Sequence, residues 1–500
     1  MELEKNKWLL VGLFAFSLVV YLWAVLSLEK YWFVGDEGFY ALSIYEAAKS
    51  GIKPYITYYG TPVFWKPFLM IDLYALAAAP LASLLPYTTA YRIPSAILSA
   101  ADVVLVYVIA SALLKDNKKA LIAALIFGLN PLSLLYGTKV FNEPLTLFFV
   151  LGTALSSIKM CGGAHNRLLW LALAAVCILG AAFAKSATMG IACAGICVAY
   201  AFISNREALP YAVGASLAAI GIILLFPFLT EFPDAFYKQY LEDFFTRRMN
   251  TFRTDNVAAA AAVFIYIIPI IMVGYKSFSL KDRSHLFLAL WALPVLAVMV
   301  TTPYAWYLLY FLPPIAMLAA ALSADTKIDR IAIYALIVIG VIGYLLIGTE
   351  LYDEELRMVD YIAKNIGKNE CTLFVGAMLP TIHSYLEMNG YAHSTAFTYV
   401  REYTPDGIFL KANLTQEEMD TLVHSYESAD FIKPISSFRY IMLPWQGIDY
   451  SQRFRTDKGC SSFKKVIITD ADKMYALDGY RLSYEKNQFV VWERAGHNES

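Results

Sequence analysis

Apolar residues fall into long, unbroken runs separated by short charged connectors, a pattern that neither half-buried strands nor surface helices produce. Runs over 8–28, 93–113, 120–136, 144–158, 168–183, 187–203, 208–229, 257–274, 286–302, 307–323 and 331–349 approach the roughly 20 residues that a bilayer-crossing helix needs. They predict a polytopic α-helical membrane protein of about eleven transmembrane helices. From about residue 350 the pattern changes to a globular mixture. There Thr372–Val375, Tyr440–Leu443, Val466–Thr469 and Phe489–Trp492 predict short strands, and Leu351–Lys364 and Gln416–Ala429 predict helices. The expected organisation is a membrane module over 1–349 and a C-terminal extracytoplasmic α/β domain over 350–500.

Charge gives the runs a direction. Lys5 and Lys7, Lys115, Lys118 and Lys119, Lys159 and Arg167, Arg206, Lys276, Lys281 and Arg283, then Lys327 and Arg330 fall at every second boundary. The positive-inside rule then predicts a cytoplasmic N-terminus and an outer C-terminal domain. The stretch 68–86 is apolar enough to cross, but it holds Asp72, Pro80 and Pro86. A full crossing would turn the Lys115–Lys119 cluster outward, so an interfacial or re-entrant helix is expected instead. This leaves a first outer loop over 29–92 and a second large one over 230–256. The first run lacks a small-residue cleavage site and reads as an uncleaved anchor.

Composition excludes the soluble alternatives. Hydrophobic residues make up 59% of the 500 and charged ones 16%, with a mean hydropathy of +0.53; soluble domains are about a quarter charged. A net charge of −1 leaves no electrostatic footprint for nucleic acid. Membrane lipid is the surrounding partner, and the plasma membrane of a prokaryote is the expected location. No inverted repeat of the transporter kind is visible by eye. Cys161, Cys177, Cys193 and Cys197 read as small core-type residues. Cys371 and Cys460 are the pair in the outer domain, where oxidation to a disulfide is chemically open. Asn413-Leu-Thr415 fits a glycosylation acceptor, a pattern short enough to recur by chance.

Candidate chemistry collects at the outer helix ends. Gly35-Asp36-Glu37 places two adjacent carboxylates beyond the first run, either as a solvated loop cap or as catalytic acids. The following Tyr40, Tyr45, Ala47, Ala48, Gly51 and Pro54 predict an amphipathic helix packed on the membrane, and the loop ends at Lys66-Pro67. A loop that starts with acids and ends with Lys-Pro would bring a base and a cation to one membrane face. Asn142-Glu143-Pro144 stands at the outer end of the third run, on the same face as Asp36, as a functional carboxylate; the alternative is that Asn142 caps the next helix, with Glu143 favourable in its first turn. Lys185 interrupts an apolar stretch, either snorkelling or facing Asp36 or a phosphate. In the second loop Arg247, Arg248 and Arg253 suit bidentate capture of phosphate, with Glu242, Asp243 and Asp255 as balancing charges in the plainer reading.

A divalent metal such as Mn²⁺ or Mg²⁺ would have to use Asp36, Glu37 or Glu143, hard oxygen ligands. No His/Cys cluster has zinc spacing, and neither a P-loop nor a dinucleotide glycine pattern occurs.

At these residues the sequence resembles the GT-C superfamily of membrane glycosyltransferases, in the branch of the lipid A aminoarabinose transferases and protein O-mannosyltransferases. The resemblance covers about residues 8–330. It rests on Asp36-Glu37 with Tyr40, Lys66-Pro67, Arg92-Ile93-Pro94-Ser95, Asn142-Glu143-Pro144, Ala184-Lys185, and Tyr307 with Pro313-Pro314 and Ala319-Ala320. It implies a sugar donor on polyprenyl phosphate, bound at the outer leaflet, and inversion at the anomeric carbon. By the same resemblance Asp36 looks like the catalytic acid of the first outer loop, Lys66 lies near the donor phosphate, Glu143, a catalytic candidate together with Glu37, stands where aspartate is usual, and Tyr307 lines the donor site. Trp65 departs from the glutamate that some relatives carry before Lys-Pro, which weakens a metal there.

The chemistry is consistent with those roles. A polyprenyl phosphate leaves as an anion, so Lys66, Lys185, Arg247 and Arg253 would stabilise developing charge. An acceptor hydroxyl needs a general base, for which Asp36 is the candidate. The acceptor is a glycolipid, a lipid-linked glycan or a protein. The alternatives are a transporter or flippase of a lipid-linked or amphipathic solute, and a membrane anchor whose tail domain does the work.

Overall fold

The computed structural model describes residues 7–58, 61–63, 68–163, 166–231, 233–237, 278–301, 305–322, 338, 344, 353–370, 372–376, 379–391, 395–398, 465–469, 480–486 and 489–494. These residues cluster into two compact units. The first comprises 1–30, 47–57 and 62–351; the second comprises 31–46, 58–61 and 352–500. Sequence patterning places a boundary near 350 but not the transfer of 31–46 to the second unit.

The first unit is a helical membrane bundle. Its described α-helices of six residues or more are α1 (Lys7–Ser27), the end of α2 (Asp36–Ser50), α3 (Leu69–Ala82), α4 (Ile93–Leu114), α5 (Asn117–Gly128), α6 (Pro131–Tyr136), α7 (Glu143–Cys161), α8 (Arg167–Ala184), α9 (Ala187–Ser204), α10 (Leu209–Leu225), α11 (Arg283–Thr301) and α12 (Leu312–Leu322). Among the described residues, six helical stretches are long and apolar enough to cross a bilayer: Lys7–Ser27, Tyr87–Leu114, Glu143–Cys161, Arg167–Ala184, Ala187–Ser204 and Leu209–Leu229. At 1.5 Å per residue the first spans about 31 Å, the thickness of the hydrocarbon. The expected run 257–274 and nearly all of 331–349 lie outside the described residues, as do Tyr440–Leu443, Gln416–Ala429, Asn413, Cys371 and Cys460.

Two expected spans are not single helices. The run 120–136 is broken at Leu129-Asn130: α5 ends at Gly128, and the Asn130 side chain caps α6 by accepting the Leu132 N–H at 2.9 Å. A local side-chain cap followed by Pro131 outcompetes helix continuation. The run 307–323 likewise starts as a 3-10 turn (Ala305–Tyr310) before α12, whose Pro313-Pro314 sits in its first turn.

Hydrogen bonds define the two ends of the bundle. At one end Arg92 Nη1 donates to the Leu28 carbonyl at 2.8 Å, and Thr88 Oγ1 to the Glu29 carbonyl at 3.0 Å. The segment between α1 and α4 therefore leaves and returns at the same end. With 14 residues, about 21 Å long, α3 is too short to cross. At the opposite end Ser284 Oγ donates to the Leu113 carbonyl, Lys119 Nζ to that of Ala321, and Asn205 Nδ2 to that of Cys161. The described residues of the charged connectors, 115–119, 162–163, 166–167, 205–206 and 281–283, gather at this end.

Helix α2 departs from the amphipathic expectation. Phe39, Tyr40, Ala41, Leu42 and Ile44 are all buried, so its first half is enclosed on every side rather than along one stripe.

Helices α7 and α8 form a tight hairpin because glycines face it. A Cβ on Gly180 would lie 2.5 Å from the Phe149 ring, and one on Gly152 2.7 Å from Cys177 Sγ. Small residues of this kind let membrane helices approach closely where lipid offers no hydrophobic drive. Thr146, Thr153 and Ser157 of α7 satisfy their hydroxyls on carbonyls four residues earlier.

After the short strands β1 (Ile56–Tyr58) and β2 (Thr61–Val63), the described strands β3 (Thr372–Gly376), β4 (Thr395–Thr398), β5 (Lys465–Thr469), β6 (Tyr480–Lys486) and β7 (Phe489–Arg494) of the second unit form a mixed sheet in the order β4-β3-β5-β7-β6. β3 pairs in parallel with β4 (Leu373 opposite Thr395) and β5 (Thr372 opposite Lys465), while β7 runs antiparallel to β5 and β6. Helices α13 (Asp353–Asn365) and α14 (Leu379–Met388) accompany it, and α13 bears out the helix expected over 351–364. α14, β4 and β6 carry no expectation from the sequence.

Candidate functional site

Three of the residues singled out in the sequence meet at one end of the membrane bundle. Glu143 opens α7, and Lys185 follows the last turn of α8, so the glycine-tight hairpin stacks one over the other. The Lys185 ammonium is ion-paired with Glu143 Oε1 and donates to Asn142 Oδ1 at 3.0 Å. It also lies 4.8 Å from the centroid of the Tyr307 ring, in the 3-10 turn before α12. Such a cation–π contact contributes about 0.5–2 kcal/mol as it is desolvated. Glu143 is fully buried and its Oε2 has no hydrogen-bond partner among the described residues. Asn142, read as a cap from the sequence, makes no side-chain cap bond; its side chain serves Lys185.

The chain that leads to Asn142 is itself tied down at Lys139. Ser95 Oγ, in the first turn of α4, donates to the Lys139 carbonyl at 2.6 Å. A hydroxyl has one proton, so the Tyr74 hydroxyl of α3, 2.9 Å away, is the donor to Ser95. Lys139 is itself buried, its Nζ 5.6 Å from the Tyr136 ring centroid and 5.9 Å from that of Phe141. Lys139 carries no expectation from the sequence. The signal was there: a lysine four residues before Glu143 in an apolar setting.

Also in the first unit, Asp72 of α3 accepts the Lys53 backbone N–H, yet burial dominates and pushes its carboxyl up to about 7.

The second unit holds the other two predicted acids. Gly35 adopts a left-handed φ of 57° and its carbonyl accepts the N–H groups of Gly38 and Phe39, so α2 begins at Asp36. The acids part company there. Glu37 is 1% exposed, in the first turn where a carboxylate complements the helix dipole. Asp36 stays partly exposed. The turn is fastened to α14: Thr381 Oγ1 accepts the Gly35 N–H at 2.9 Å, and Ser384 Oγ accepts the Trp32 indole N–H at 2.9 Å. The Tyr385 ring meets Trp32 edge-on, with centroids 5.1 Å apart. Burial, then the neighbouring Tyr391, pushes the Tyr385 phenol up to about 12, so Trp32 packs on a neutral ring.

Lys66, Arg247 and Arg253 lie outside the described residues. Among the described residues no group of three or more His, Cys, Asp or Glu side chains could hold a metal ion. Glu143, one of the carboxylates considered for that purpose, has its charge compensated by Lys185.

The family model for dolichyl-phosphate-mannose-protein mannosyltransferases matches residues 81–230, which hold α4 to α10 and the Glu143–Lys185 pair. ArnT from Cupriavidus metallidurans, solved with undecaprenyl phosphate bound, superposes with a TM-score of 0.64 at 14% identity, over 98% of this chain and 99% of that one. The oligosaccharyltransferase AglB from Archaeoglobus fulgidus, in complex with an inhibitory peptide and a dolichol-phosphate, gives 0.55 at 13% identity over 93% of this chain and 70% of that one. The arabinofuranosyltransferase AftD from Mycobacteria gives 0.50 at 12% identity, over 99% of this chain and 40% of that one. No curated protein sequence matches the chain. The fold is that of the GT-C membrane glycosyltransferases.

Proposed function

We propose that this chain is an inverting glycosyltransferase that moves a sugar from a polyprenyl-phosphate donor to an acceptor on the outer membrane face. The observation that carries the reading is Lys185, a cation fixed between Glu143, Asn142 and the Tyr307 ring at one end of the bundle. It stands in a fold shared along its whole length with a structure that holds undecaprenyl phosphate.

Each residue then has a task. Asp36, the partly exposed acid, takes the proton of the acceptor hydroxyl. The acceptor oxygen bonds to the anomeric carbon as the bond from that carbon to the phosphate oxygen breaks, and the single displacement inverts the centre. The polyprenyl phosphate departs as an anion towards Lys66, Lys185, Arg247 and Arg253, whose charge lowers the barrier. Tyr307 lines the donor, and Glu143 with Asn142 keeps Lys185 extended rather than free to follow the phosphate. Buried Glu37 supports the start of α2. With the sugar already activated on its lipid, the chain needs no nucleotide. A glycolipid or lipid-linked glycan is the favoured acceptor class, since both approach from the membrane.

The test uses the full chain in lipid nanodiscs, offered a panel of polyprenyl-phosphate sugars with a lipid acceptor extract and followed by mass spectrometry. Consumption of one donor by the native chain, and not by Asp36→Asn, is expected. Turnover unchanged in Asp36→Asn removes Asp36 as the base. Absence of saturable donor binding for every sugar overturns the donor class.

A further inference from the structure

The turn that presents Asp36 is held by a helix more than 340 residues further along the chain. Gly35 is its pivot. With no Cβ and a left-handed φ, it is the softest backbone position next to Asp36. The N–H of this pivot is the group that Thr381 captures at 2.9 Å. Three residues upstream, Trp32 is held twice, by Ser384 Oγ at its indole N–H and by the edge of Tyr385. Ser384 also donates to the Thr381 carbonyl at 2.9 Å, which couples the two anchors.

The spacing accounts for the arrangement. Positions 381, 384 and 385 stand three and four apart, on one face of α14. Ile382, Leu386 and Met388 are buried as well, so α14 is enclosed. Thr381 and Ser384 are both 0% exposed. Buried hydroxyls are costly unless bonded, and α14 commits them to the segment that leads to Asp36. Packing alone would be served by Val and Ala at the same positions.

We infer that α14 is a positioning element for the transfer reaction, with Thr381 and Ser384 as positioning residues that fix Asp36 through Gly35 and Trp32. The inference rests on Asp36 being the base, as proposed above. A base must meet its proton within a few tenths of an ångström, and a displacement of about 1 Å can cost on the order of a hundredfold in rate. Freedom at Gly35 would be felt in turnover and not in donor affinity.

The experiment uses the full chain in nanodiscs with Thr381→Val, which is isosteric but cannot accept the Gly35 N–H, and Thr381→Ser, which can. Hydrogen–deuterium exchange of the peptide 31–39 reads the hold itself. Exchange there should rise about fivefold to tenfold in Thr381→Val and return to the native level in Thr381→Ser. Turnover should fall at least about tenfold in Thr381→Val with donor KM unchanged, and recover in Thr381→Ser. Native exchange in Thr381→Val overturns the hold. Raised exchange with native turnover, while Asp36→Asn is inactive, overturns the positioning role and leaves Asp36 as the base. Native turnover in Asp36→Asn overturns both. A loss in Thr381→Val that Thr381→Ser does not restore, accompanied by a lowered melting temperature, makes Thr381 a packing residue only.

Discussion

Lys185 closes on Glu143 across a hairpin of two membrane helices, and each charge is the reason the other can be buried. Their side chains are 9% and 0% exposed. Breaking such a pair from one side strands an uncompensated charge and costs about 3–5 kcal/mol, whereas removing both together costs much less. Lys185→Met and Glu143→Gln should each lower the thermal midpoint strongly, and the double variant should recover a large part of the loss. Thermal unfolding in detergent of the four species checks this. Additive losses would mean that the two residues do not depend on each other.

The pair also depends on how closely its helices approach. A Cβ at Gly180 would meet the Phe149 ring at 2.5 Å, closer than real Cβ contacts come, so the half-buried ring or one of the helices has to move. Gly180→Ala should therefore spread α7 from α8 and cost about 1–3 kcal/mol, as overpacking does. With Lys185, which follows α8, in the proposed donor-binding role, donor affinity should fall with it. Phe149→Leu in the same chain should relieve the crowding and restore both. Unchanged stability in Gly180→Ala would show that the ring moves aside freely.

These dependencies divide what the sequence could reveal from what it could not. The crossings α1, α4, α7, α8, α9 and α10 were legible because an apolar run near 20 residues has one stable state in lipid. The break at Asn130 was not. A hydropathy window averages over a single polar residue, and a side-chain cap changes the backbone without changing the average. Glu143 and Lys185 each stood out as a charge at an apolar border, but their partnership depends on helix packing fixed by Gly152 and Gly180. Helix α14 left no mark, being ten residues long with Thr381, His383 and Ser384 along it. Its partners lie 346 and 352 residues away, a distance over which local pattern says nothing.

Asp72 predicts a pH dependence. Burial raises its carboxyl to about 7 from the ordinary value of 3.8, so between those limits the folded chain binds a proton that the unfolded chain has lost. Stability must then fall as pH rises through this window and level off above about 7. Asp72→Asn keeps an acceptor for the Lys53 N–H and has no charge to bury. Its thermal midpoint should exceed that of the native chain at pH 8 and approach it near pH 4. A constant difference across the range would show that the Asp72 carboxyl is not shifted.

Asp102 presents the opposite balance from Lys185. It sits within α4 at 1% exposure, and neither carboxylate oxygen has a hydrogen-bond partner among the described residues. The Tyr21 hydroxyl is committed to the Gly128 carbonyl and that of Tyr74 to Ser95. A buried polar group without a partner costs about 1–3 kcal/mol. Asp102→Ala removes it with little change in volume and should raise the thermal midpoint, while Asp102→Asn replaces one unpartnered group by another and should not. If Asp102→Ala instead destabilises the chain, the carboxylate holds something that its protein neighbours do not supply. Repeating the melt across buffers that differ only in their monovalent cation would then identify it as a cation or exclude one.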